Sequence, residues 1–110
     1  MFESIKNNSD FLKAYRHGKS YANRYLVMYV RKNDLDRNRY GITVSKKVGN
    51  SVVRHRVTRL IRESIRLNVE KFENGYDIVI IARNTAKGRK CQEIESDVLH
   101  LGKLHNIVVR

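Results

Sequence analysis

The apolar positions of this chain change period several times, and each change marks an element. Residues 8–17, NSDFLKAYRH, place Phe11, Leu12 and Tyr15 at i, i+1 and i+4, the stripe of a short helix. Asn8 or Ser9 would cap it and Gly18 would stop it. KSYANRYLVMYVRK, 19–32, alternates with the two-residue period of extended chain, as one strand or as two broken near Asn23. Leu26, Met28 and Val30 then share a core face, with Tyr25, Val27, Tyr29 and Arg31 on the other. NDLDRN, 33–38, is a polar turn. In RYGITVSK, 39–46, Tyr40, Ile42 and Val44 alternate with a small face of Gly41, Thr43 and Ser45, which leaves room for something to lie across it. A period of 3.6 returns from 51 to about Val69, where Val53, Val57, Leu60, Ile61 and Ile65 form one stripe. VEKFENG is the exit, with a turn at Gly75. YDIVIIAR, 76–83, is nearly continuous and β-branched, the pattern of a strand buried on both faces and hence central. TAKGRK, 85–90, is a basic loop. CQEIESDVLHLGKL, 91–104, is a last amphipathic helix on Ile94, Val98 and Leu101, weakened at Gly102.

The order αβββαβα predicts an α+β, two-layer α-β sandwich, with helices packed on one sheet. The strand–helix–strand unit at 39–83 should form a parallel pair, right-handed by the general rule. No repeat, linker, low-complexity stretch or proline interrupts the chain, so 1–110 reads as a single domain.

Charge changes the picture most. Lys and Arg number 23 against 11 Asp and Glu, a net charge of +12. SKKVGNSVVRHRVTRLIRESIR, 45–66, holds Lys46, Lys47, Arg54, Arg56, Arg59, Arg62 and Arg66 against Glu63 alone. Asn50 or Ser51 would cap the helix there. At about 100° per residue, Arg56, Arg59, Arg62 and Arg66 fall beside the apolar stripe, while Arg54 must reach outward around the helix start. A solvated face usually mixes Glu with Lys at i,i+4. This one offers arginines, and a helix N-terminus, to a run of phosphates. Phe11 and Tyr15 could be core or could line a groove where bases stack, and Tyr25, Tyr29 and Arg31 suit a sheet surface that meets RNA. No apolar run approaches the roughly 20 residues of a membrane span, and the start lacks a signal-peptide layout. Cys91 is alone, which fits a reducing cytosol, so a cytoplasmic location without membrane attachment is expected. His17, His55, His100 and His105 have no zinc-finger spacing.

GITVSKKVGNSVVRHRVTRLIRE, 41–63, resembles the signature V-S-K-K-x-G-N-A-V-x-R-N-R-x-K-R-x-I-R-E of the bacterial ribonuclease P protein subunit. NSDFLKAYRHGKSYANRYLVMY, 8–29, is similar to that family's N-terminal pattern, and DIVIIAR, 77–83, to its later strand. The resemblance implies a four-stranded, ribosomal-protein-domain-like sheet with a left-handed βαβ crossover, contrary to the general rule. It implies a partner, the catalytic RNA, which removes the 5′ leader of precursor tRNA with Mg²⁺ held mainly by the RNA. No cofactor is then needed by the protein fold, and no catalytic residue is expected in the chain. Carried over by position, Lys46, Lys47, Asn50, Arg54, His55, Arg56, Arg59, Arg62 and Arg66 would face the catalytic RNA. Phe11, Tyr15, Arg24, Tyr29, Thr43 and Ser45 would bind the leader of precursor tRNA. His55 stands where the family usually has Asn, and Thr58 where it usually has Lys; a phosphate contact at 58 should be lost.

Three other classes are weighed. A protein ribonuclease would need two of the histidines as general acid and base, and no spacing brings two together. A general RNA-binding or ribosome-associated protein is set aside only by the motifs. A major-groove DNA reader would want more Asn, Gln or Ser on the basic face.

Overall fold

The nearly continuous apolar run at 76–82 becomes the hub of one mixed sheet. A computed structural model describes residues 2–109 as β1 (Glu3–Ser4), α1 (Asn8–His17), β2 (Lys19–Ala22), β3 (Leu26–Lys32), β4 (Arg39–Thr43), α2 (Ser51–Asn68), β5 (Tyr76–Ala82) and α3 (Cys91–Leu104). The sheet runs β1-β4-β5-β3-β2. β5 pairs antiparallel with β3 and parallel with β4, and α2 joins the two parallel neighbours. The sheet has five strands rather than four. β2 to β5 are the expected ones; β1 adds two residues beside Arg39 and Tyr40, too few to leave a periodicity.

Alternation along the strands sorts the core into two. Ile78, Ile80 and Ala82, with Leu26, Met28, Val30 and Tyr40, face Val57, Ile61 and Ile65 of α2 and Ile94, Val98 and Leu101 of α3. Val79 and Ile81 point the opposite way, toward Ile5, Phe11, Ala14 and Tyr15. The sandwich of sheet with α2 and α3 is as expected, and α1 lies across the far face. Burial of large aliphatic side chains on both faces of β5, at about 1.5–3 kcal/mol each, makes this strand the main stabilising element.

The two-strand alternative for 19–32 holds, and three local expectations change, those for Tyr25, the α1 cap and Gly102. The 19–32 segment breaks at 23–25, where the Asn23 side chain accepts the Leu26 N–H at 3.2 Å and Asp97 accepts the Tyr25 N–H at 3.0 Å. That break takes Tyr25 out of the alternation, and it is buried with the α3-side core instead of sharing the face of Tyr29. α1 is capped by the Asn7 backbone, not by Asn8 or Ser9: the Asn7 carbonyl accepts from Asp10 and Phe11 N–H. Gly102 sits inside α3 because a Cβ there would come within 2.6 Å of Val108 and 2.8 Å of Phe72. The glycine lets the C-terminal segment close on the helix.

Candidate nucleic-acid interface

The basic surface begins where β4 ends. A turn closed by the Val48 N–H on the Ser45 carbonyl (3.1 Å) carries Lys46 and Lys47 exposed at its corner, while Val48 is buried as an anchor. Asn50 then caps α2, its side-chain oxygen accepting the Val53 N–H at 3.0 Å. Arg54 turns back around the helix start and donates to the Gly49 carbonyl at 3.0 Å, as its position at the stripe's border required. His55, Arg56 and Arg59 line an open trough along the helix with Ser51, Val52, Leu60 and Glu63. Arg56 also donates to the Arg89 carbonyl at 3.1 Å, which ties the basic 85–90 loop to the side of α2. Arg62 is exposed and unpaired among the described residues, whereas Arg66 grips Glu63 through Nε at 2.9 Å and a second guanidinium nitrogen. That grip holds the Glu63 carboxyl below its usual range. Among the described residues Arg66 is therefore the one arginine of this face held by a carboxylate.

On the far side of the sheet, cross-strand register sets three rows beneath α1. They are Arg31–Asp77–Arg39, Tyr29–Val79–Gly41 and Val27–Ile81–Thr43. The first row fastens the helix. Fully buried Asp77 accepts from Arg39 Nε at 2.9 Å and Nη2 at 2.7 Å and from Asn33 at 3.0 Å, with Arg31 at 3.8 Å. Arg39 reaches on to Asp10 in the first turn of α1 at 3.4 Å. The Asp77 contact raises the Arg39 guanidinium further above its ordinary value, so this cation is permanent. Sequence reasoning missed this network. The available signal was an acid opening an otherwise apolar strand in a strongly basic chain.

Over the second row, the Phe11 ring lies on Gly41, where a Cβ would come within 2.5 Å of it. The small face of β4 is thus partly filled by the chain's own phenylalanine. Tyr15 meets Tyr29 edge to face at 5.1 Å, and its hydroxyl lies 3.5 Å from that of Thr43. Phe11, Tyr15 and Tyr29 are all half-buried, so each serves as core on one edge and as surface on the other. The third row is left half-exposed beside them. Phe11, Tyr15, Tyr29 and Thr43 come together here, and Ser45 lies exposed two residues beyond Thr43, at the start of the lysine turn. Arg24 does not join them. Its guanidinium sits 5.5 Å from the centre of the Tyr25 ring on the α3 side, as does that of Arg89.

The histidines do not form a catalytic pair through any interaction among the described residues. His100 meets Asn23 at 3.1 Å, and His105 donates to the Met28 carbonyl at 2.9 Å, with burial holding its imidazole below the ordinary value. His17 and His55 make no hydrogen bond there. Nor do three His, Cys, Asp or Glu side chains gather among the described residues as a metal ion would need. No described helix is long and apolar enough to cross a membrane.

Comparison with known proteins fits this geometry. The family model for ribonuclease P matches residues 2–105. The chain is 60% identical over 108 residues to the ribonuclease P protein component of Lachnoclostridium phytofermentans, covering 98% of this chain and 93% of that one. It is 49% identical to the component of Clostridioides difficile, over 97% and 95% of the two chains. Among solved structures, the RNase P protein of Staphylococcus aureus superposes with a TM-score of 0.88 at 37% identity, covering 98% of this chain and 99% of that one. The protein from Thermotoga maritima gives 0.85 at 33%, covering 93% and 96%. With the match spanning nearly the whole chain and both faces of the sheet, the chain belongs to the ribonuclease P protein component family.

Proposed function

We propose that this protein binds the catalytic RNA subunit of ribonuclease P through the lysine turn and α2, and the 5′ leader of precursor tRNA through the cleft beneath α1. Together these contacts promote Mg²⁺-dependent removal of the leader. The observation that carries this is the continuity of the two surfaces. The row of Val27, Ile81 and Thr43 lies at the C-terminal ends of parallel β4 and β5, and the chain leaves that end of β4 directly into Lys46, Lys47 and the N-terminus of α2. A strand of RNA crossing the tyrosines therefore emerges against the cationic turn. The aromatic surface is sequence-tolerant, because every base has a π-face. The cations neutralise phosphates of two RNAs that otherwise repel each other, which lowers the Mg²⁺ the complex requires.

Asp77, Asp10 and Glu63 are each engaged by arginine, and among the described residues no three potential ligand side chains gather. The ion is assigned to the RNA, where it would supply the charge stabilisation for phosphodiester cleavage. The protein's own residues position the leader.

Tyr29→Ala removes one stacking platform from the cleft. The expected result is roughly tenfold weaker binding of precursor tRNA to the holoenzyme, with mature tRNA binding unchanged. Direct binding of both tRNAs under single-turnover conditions checks this. Equal losses for the two would contradict the placement of the leader.

A further inference from the structure

Beyond the arginine face and the cleft there is a third concavity, a notch of about 140 Å³ at the outer edge of the sheet. Phe2, Phe11, Ile42 of β4, and Thr58 and Arg62 of α2 line it, with Phe2 packed toward the α2 side of the sheet and Phe11 toward the α1 side. Its origin is the short reach of β1. The Ile5 N–H bonds the Tyr40 carbonyl at 2.8 Å, after which the chain lifts off to bury Ile5 and begin α1. Backbone polar groups alternate sides along a strand. Tyr40 faces β1, so the Ile42 N–H and carbonyl, two residues on, face the same way into the space that β1 has vacated. Neither bonds a described residue outside the strands of the sheet, although Ile42 is only half-exposed. The Thr58 hydroxyl and the Arg62 guanidinium are likewise without partners among the described residues.

A half-buried backbone donor and acceptor side by side, two aromatic rings, and a free guanidinium form one set of complementary groups. We propose that this notch takes a single unstacked nucleotide of RNA. The base edge pairs with the N–H and carbonyl of Ile42, the base faces lie on Phe11 and Phe2, and the adjoining phosphate sits on Arg62. A water-filled notch would satisfy Ile42 alone, but it would use neither the aromatic rings nor the cation. Thr58 is small enough to leave the notch open beside Arg62. The proposal rests on the RNA-binding reading above and adds to it a pocket for one base, separated from the leader cleft by the Phe11 ring. The nucleotide could belong to the catalytic RNA or to the leader, and the two sources give different results in one experiment.

The test fills the notch. Thr58→Phe, and Thr58→Leu as a smaller filler should the first not fold, are compared with Thr58→Ala, which leaves it open. Each protein is titrated against the catalytic RNA, and each holoenzyme against precursor and mature tRNA. The expected result is a loss of roughly tenfold for the fillers and none for Thr58→Ala, as the removal of one stacked base predicts. A loss in catalytic-RNA affinity assigns the nucleotide to that RNA; a loss confined to precursor tRNA assigns it to the leader. Fillers that match the wild type in every titration overturn the proposal, as does an equal loss in Thr58→Ala. Failure of the wild-type protein to bind the catalytic RNA would instead overturn the RNA-binding reading beneath it.

Discussion

Replacing Arg56 and Arg59 together by alanine is expected to weaken binding of the catalytic RNA roughly 30-fold near 0.1 M monovalent salt. The figure follows from counterion release. Each neutralised phosphate contributes a log–log salt slope of about −0.7 to −0.9, so two lost contacts flatten the slope by about 1.4–1.8, and the affinity curves converge toward 1 M salt. The two residues are chosen because they flank the exposed trough on α2 without any acidic partner among the described residues. Arg66→Ala is the internal comparison. On sequence alone Arg66 belongs to the same face, but its guanidinium is committed to Glu63 in a pair that RNA would first have to break. Its loss should cost only a few-fold, with little change in slope. Salt titrations of the three proteins decide the matter. An Arg66 effect as large as the double substitution would mean that the helix is engaged from its C-terminal end instead.

The second large effect is on stability. Asp77→Asn should lower unfolding free energy by about 2–4 kcal/mol, somewhat under the full cost of breaking a buried ion pair, because Arg39 and Arg31 retain 20% and 27% exposure and can partly rehydrate. For a domain of this size that corresponds to a fall in Tm of roughly 10–20 °C. Asp10→Asn touches only the outer link to Arg39 and should cost less than about 1 kcal/mol. Thermal unfolding followed by circular dichroism measures both. The network also fixes α1 over the sheet, so precursor-tRNA affinity of Asp77→Asn should drop more than its affinity for the catalytic RNA, even well below the unfolding transition. A near-neutral Asp77→Asn would show that the apolar packing of Ala14 and Phe11 on Val79 holds the helix without the ion pair.

Much of this architecture was legible because the hydrophobic effect writes in simple periods. The alternation of Leu26, Met28 and Val30 and the unbroken run at 76–82 gave the face of β3 and the central place of β5 directly. The Asn50 cap and the apolar stripe of α2 likewise gave both the start and the basic face of that helix. What escaped depended on long-range partners that no local pattern encodes. β1 is held by only two residues of pairing. Tyr25 turned to the other face because Asn23 and Asp97 captured the backbone around it. Which face α1 would cover was undetermined, since its stripe of Phe11 and Tyr15 suits either. The Asp77–Arg39–Asp10 chain links residues far apart in sequence and leaves no spacing to find. Within the site, the motif resemblance grouped Arg24 with the leader residues, whereas the fold sets it against Tyr25, away from Phe11, Tyr15, Tyr29 and Thr43. The Glu63–Arg66 pair, by contrast, sits at a local i,i+3 spacing that could have been read, yet the sequence reading placed Arg66 on the RNA face.

Cleavage of precursor tRNA at low millimolar Mg²⁺ bears most directly on the central claim, with protein alone, cognate catalytic RNA alone and the two together compared side by side. Leader removal is expected in the mixture, little with RNA alone until Mg²⁺ is raised, and none with protein alone. Cleavage by the protein without RNA, or a mixture no more active than its RNA, would contradict that claim.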